Sequence, residues 1–91
     1  MLFPEICVYG VNACQDTRRT RRHLDELNLA YTYVNLDKDE DADRKVREWN
    51  SGRRLTPTVV IAGSGRTRRL VEPEDWELDE ALADQDAMPA A

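Results

Sequence analysis

Ile6-Cys7-Val8-Tyr9-Gly10-Val11-Asn12-Ala13-Cys14-Gln15-Asp16-Thr17-Arg18-Arg19-Thr20 is the stretch on which the fold turns. It opens as an apolar run of β-formers, the pattern of a strand covered on both faces in a parallel sheet. Gly10 to Ala13 make a turn. Beyond them Thr17, Thr20, Leu24 and Leu27 recur at helical spacing, with charged residues opposite. A strand therefore hands over to a helix at Cys14. Unpaired N–H groups at a helix start favour a thiolate over a thiol, which makes Cys14 the candidate nucleophile.

Reading outward, the first strand covers residues 5–9 and the first helix runs from residue 14 or 15 to residue 27. Tyr31-Thr32-Tyr33-Val34-Asn35-Leu36 reads as a second strand. Asp39-Glu40-Asp41 supplies a cap and dipole-favoured anions for a second helix. Ala42, Val46 and Trp49 form its stripe and Asn50-Ser51-Gly52 its stop. Strands at 58–62 and 66–71 flank Gly63-Ser64-Gly65, a hairpin turn. Pro73 suits the first position of a last helix, with Leu78, Ala81 and Leu82 as its buried face and Trp76 covering the sheet. The order βαβαββα predicts an α/β fold, a four-stranded mixed sheet flanked by three helices, with residues 1–84 as one domain and 85–91 as a loose tail.

The chain has 91 residues, two cysteines and a formal net charge of −5. That acidity argues against nucleic acid, whose binding draws on a basic surface. Two cysteines are too few for a disulfide framework, and no basic leader or long apolar run opens the chain, so a cytoplasmic, reducing location and no membrane contact are expected. Cys7, central in the first strand, is expected to be inert core, and too far from Cys14 to bridge to it. No spacing suits a metal, and no glycine-rich phosphate loop appears. His23 reads as a partly exposed packing residue, Trp49 as cover for the sheet, and Arg66, Arg68 and Arg69 as solvated charge.

Pro57, in Leu55-Thr56-Pro57-Thr58-Val59-Val60-Ile61, stands directly before a β-branched strand, where most strands do not tolerate proline. With Val8-Tyr9, Cys14-Gln15-Asp16-Thr17, Arg18 to Arg22 and Thr56-Pro57-Thr58 in this order, the chain resembles the glutaredoxin branch of the thioredoxin-fold proteins. The likeness spans residues 5–83. It is nearest to small glutaredoxin-like and mycoredoxin-like bacterial proteins, whose last helix begins with a proline much as Glu72-Pro73-Glu74 does.

The resemblance implies a thioredoxin fold and a thiol–disulfide oxidoreductase, with Cys14 and Thr17 catalytic. It implies a cis Thr56–Pro57 bond facing Cys14, and substrate contacts from Tyr9, Arg18, Arg53, Arg54, Thr56 and Pro57. No bound cofactor or metal is implied. A low-molecular-weight thiol, glutathione or mycothiol, is the expected co-substrate, disulfide-bearing proteins are the expected partners, and the expected state is a monomer.

Thr17 occupies the position of the family's second Cys or Ser, so a dithiol cycle within the motif is excluded and a monothiol route remains. Its hydroxyl still donates to the sulfur. Asp16 opposes the thiolate unless it turns outward or pairs with Arg19. Absent are the family's lysine before the cysteine and the Gly-Gly and Ser/Asp-Asp element after the fourth strand, where Val71-Glu72-Pro73-Glu74-Asp75 stands. Two other readings stay open. Cys14 followed by Thr17-Arg18 is also similar to arsenate reductases, though the chain lacks room for their helical insertion. A thioredoxin-fold interaction or cluster-carrying module is the other, without its Cys-Gly-Phe-Ser motif.

Overall fold

The computed structural model describes residues 4–63 and 65–86. Its elements are β1 (Glu5–Gly10), α1 (Gln15–Glu26), β2 (Thr32–Asn35), α2 (Glu40–Trp49), β3 (Thr58–Gly63), β4 (Arg66–Val71) and α3 (Asp75–Asp86). The strands lie in the order β2-β1-β3-β4. β1 runs parallel to β2 and antiparallel to β3, and β3 runs antiparallel to β4. This is the mixed sheet that the element order predicts.

Side-chain alternation along β1 and β3 divides the molecule into two layers. Ile6, Val8, Val59 and Ile61 point to one face and meet Leu24 of α1 and Leu78, Ala81 and Leu82 of α3. On the other face α2 brings Ala42 and Val46 against Leu36, with Tyr9, Val34 and Trp49 packed around them. Trp49 stands edge-on to Tyr9, with ring centroids 5.4 Å apart.

Burial of β1 on both faces holds for only part of the strand. Helix α2 packs over the Tyr9 end of the strand and not over Cys7. A groove of about 580 Å³ lies open there, lined by Pro4, Cys7, Tyr31, Thr32, Val60 and Ala62 among others. Cys7 is therefore half-buried at a groove wall rather than sealed in the core.

The helix ends follow their sequence signals. Asp39 caps α2 by accepting from the Ala42 N–H at 3.0 Å. After α1, Asn28 takes the left-handed conformation, φ 58°, that a helix stop favours. Helix α3 departs from expectation at both ends. It begins at Asp75 instead of Pro73, because the chain first turns through Glu72 at φ 49°, and Pro73 is buried before the helix starts. At its far end it continues through Asp86 with Gln85 buried, so a tail starting at residue 85 is corrected; residues 87–91 lie outside the described range.

Trp76 is also corrected. It is 64% exposed, two residues before Leu78 and so on the outer side of α3. The β4 arginines are not merely solvated: Arg66 and Arg68 both reach Asp84, and Arg69 lies 5.0 Å from the Trp49 ring centre. Among the described residues no helix is long and apolar enough to cross a membrane.

Candidate active site

Cys14 is the N-cap of α1, with extended backbone at φ −79° and ψ 124°. The turn before it is closed by its own N–H donating to the Val11 carbonyl at 3.1 Å, and Arg18 N–H returns to the Cys14 carbonyl at 3.1 Å. The half-buried sulfur sits 3.7 Å from the Thr56 carbonyl oxygen, next to Pro57. The Thr56–Pro57 peptide bond is cis. Two loops 42 residues apart in sequence thus meet at one sulfur.

Burial pushes the Cys14 thiol up, but the side-chain hydroxyls of Thr56 and Thr17 and the Thr17 and Asp16 backbone N–H groups outweigh it. The net effect lowers the pKa below the ordinary thiol value. The Thr56 carbonyl acts the other way, since it accepts from the S–H and serves only the protonated form. Thr17 is fully buried, and among the described residues its hydroxyl has no partner at full hydrogen-bond geometry, though it lies close enough to the sulfur to favour the thiolate. A thiolate at Cys14 supplies the acceptor that this buried donor lacks. Gly10 makes the approach possible: a Cβ there would lie 2.6 Å from the Thr17 Cγ2 and Oγ1 atoms. The sequence reading takes Gly10 only as the start of the turn; that it ends β1 and makes room for Thr17 appears with the fold.

Asp16 is drawn aside by Arg19, Nη1 to Oδ1 at 3.4 Å, so its carboxylate does not face the sulfur unopposed. Arg18 exerts its effect on the turn, donating to the Asn12 carbonyl at 3.0 Å. From β2 the Tyr33 hydroxyl donates to Asn12 Oδ1 at 2.8 Å, and the Arg21 guanidinium lies 3.8 Å from the Tyr33 ring centre. Asn12 is held from two elements. Neither Asn12 nor Tyr33 was singled out beforehand, because only the placement of β2 beside the turn brings them together.

Several expected substrate contacts are engaged elsewhere. Tyr9 faces the α2 layer, its hydroxyl pushed up to about 12 by burial first and then by its bond to Cys7. Arg54 donates to Asp43 at 2.7 Å, to Asp37 at 2.8 Å and to the Leu36 carbonyl at 3.1 Å, so its donors are turned inward. Arg53, by contrast, is exposed. Cys7 is held in thiol form by burial, only partly offset by its bond to Tyr9, and both cysteines are free. His23 joins α1 to α3 through Asp79 at 2.7 Å. No group of three His, Cys, Asp or Glu side chains among the described residues is placed to hold a metal ion.

The glutaredoxin family profile matches residues 6–65. Among solved structures, a glutaredoxin from Archaeoglobus fulgidus superposes with TM-score 0.67 at 22% identity, covering 82% of each chain. The glutaredoxin-like NrdH-redoxin from Escherichia coli gives 0.56 at 22%, covering 70% of this chain and 79% of its own. Mitochondrial thioredoxin 3 from Saccharomyces cerevisiae gives 0.67 at 15%, covering 89% and 77%. No curated protein sequence matches the chain. With Cys14 at the strand-to-helix junction and the family profile spanning both Cys14 and Pro57, the chain belongs to the glutaredoxin family, thiol–disulfide oxidoreductases of the thioredoxin fold.

Proposed function

We propose that the protein reduces mixed disulfides between proteins and a low-molecular-weight thiol by a monothiol route through Cys14. The observation that carries this reading is the half-buried Cys14 sulfur at the start of α1, 3.7 Å from the Thr56 carbonyl oxygen and beside a buried Thr17 hydroxyl that has no partner among the described residues. The Cys14 thiolate attacks the small-thiol sulfur of the mixed disulfide, forms an S–S bond to it, and the protein sulfur departs with the electron pair. A second small thiol, as thiolate, attacks the captured sulfur. It leaves as a small disulfide and regenerates the Cys14 thiolate.

Thr17 and the Asp16 and Thr17 N–H groups stabilise the thiolate as attacker and as leaving group. Thr56 and Pro57 border the approach. Cys7 takes no part, since it is less acidic than an ordinary thiol and faces the other side of β1. Glutathione or mycothiol is the co-substrate, the partners are disulfide-bearing proteins, and the protein works as a cytoplasmic monomer.

The test is turnover of a protein–glutathione and a protein–mycothiol mixed disulfide by three forms of the protein. Cys7→Ser is expected to match the unaltered chain within about twofold, and Cys14→Ser to show no catalysed rate. Retained catalysis in Cys14→Ser overturns the reading.

A further inference from the structure

The corner between β4 and α3 abuts the Cys14 site and is already saturated with the protein's own carboxylates. Its first link is the Glu72 N–H, which donates to the Pro57 carbonyl at 2.8 Å and so fixes this corner beside Thr56 and Cys14. The second is the Glu74 N–H, which donates to Glu77 Oε1 at 2.8 Å, so a donor at the start of α3 is occupied from within. The third is Arg19, which spends its charge on Asp16 at 3.4 Å and Glu74 at 3.9 Å and its remaining reach on the Pro73 carbonyl at 3.3 Å.

Glu72 itself is exposed, and its carboxylate has no hydrogen-bond or ion-pair partner among the described residues. At this corner an incoming carboxylate would find the Arg19 and Glu74 N–H donors occupied and two carboxylates of its own sign. A cationic side chain would find the Glu72 carboxylate unengaged and Glu74 held only at 3.9 Å by Arg19. Arg53, exposed in the loop before Thr56, gives the site a flank of the opposite sign, so the effect is local and not a property of net charge alone.

Resting on the monothiol reading above, we infer that Glu72 and Glu74 are specificity-determining residues that steer Cys14 toward disulfides whose polypeptide carries basic residues beside the cysteine, and away from acidic ones. The chemistry is unchanged. Cys14 bonds to the small-thiol sulfur, and the polypeptide leaves as a thiolate while its basic flank lies against the corner.

The experiment uses three otherwise identical cysteine peptides, flanked by lysines, serines or glutamates, each as the mixed disulfide with uncharged 2-mercaptoethanol. Catalysed kcat/KM is followed by mass spectrometry with 2-mercaptoethanol as reductant and divided by the uncatalysed rate constant of the same peptide. At low ionic strength the lysine peptide is expected to lead the glutamate peptide by about tenfold, converging in 0.5 M salt as roughly 4 Å screening takes hold. Glu72→Lys combined with Glu74→Gln is expected to abolish or invert this order. Glu48→Lys, on the exposed side of α2, is expected to preserve it. Equal rates for the three peptides, or the same loss of preference in Glu48→Lys, overturn the inference while leaving the exchange reaction intact. No catalysis with any peptide overturns the inference, and failure of the protein–glutathione and protein–mycothiol mixed disulfides as well overturns the exchange reading itself.

Discussion

Thr17 shows how one residue can answer to both packing and chemistry. Fully buried against Gly10, it would be read as a small core residue by its contacts alone. A buried hydroxyl without a partner costs about 1–3 kcal/mol, however, and a valine of the same shape would avoid that cost. Thr20 carries an equally buried, unpartnered hydroxyl, so what distinguishes Thr17 is its place beside the Cys14 sulfur, where the hydroxyl favours the thiolate. Thr17→Val is expected to retain the fold and to slow alkylation of Cys14 by iodoacetamide at pH 7 about threefold to tenfold, the equivalent of one hydrogen bond. The alkylation profile of the unaltered chain is expected to rise with pH through a midpoint below about 8.5, the free-cysteine value. A midpoint at or above that value in the unaltered chain contradicts the assigned environment.

At the scale of elements, the local signals were strong where a helix end is built from nearby residues. Asp39 lies three residues from the N–H it caps, and the acidic first turn of α2 at Glu40, Asp41 and Asp43 adds to the same end. Replacing it by alanine is expected to lower stability by about 1 kcal/mol, read as a reduced urea midpoint at constant m-value. The start of α3 was misplaced because Pro73 satisfies the requirements of a first helical residue equally well just outside the helix. What delays the helix is a tertiary link, Glu72 N–H to the Pro57 carbonyl, which no window around Pro73 contains. The burial of Cys7, though not its inertness, was misread for a related reason. An apolar strand segment looks the same whether or not the covering helix packs over it.

Across the whole molecule, the Arg54 guanidinium ties the loop before Pro57 to the β2–α2 connection and to α2 itself through Asp37, Leu36 and Asp43. This cluster braces the loop that carries Thr56. Hydrogen bonding to Arg54 is the largest influence on Asp43 and holds its carboxyl below the usual range. Its contribution is therefore complete above the unfolded value of about 3.9 and disappears as pH falls through the lower folded value. Asp43→Asn is expected to unfold at lower urea than the unaltered chain at pH 7, and the difference to vanish near pH 2. A difference of the same size at both pH values would show that charge on Asp43 is not what matters.

Read from the chain alone, periodicity and caps sufficed for the element order, the α/β class and Cys14 at a helix start, because these depend on residues within a few positions of one another. The family followed from the same short motifs. Which arginines remained free was settled only by folding: Arg54 and Arg19 find carboxylates distant in sequence, whereas Arg53 stays exposed. The acidic corner beside Pro57 likewise arises because β4 delivers Glu72 to a loop 15 residues earlier in the chain, a proximity created by antiparallel pairing with β3. Charges and donors are fixed by composition, but whether each is satisfied inside the protein or left for a partner depends on three-dimensional neighbours.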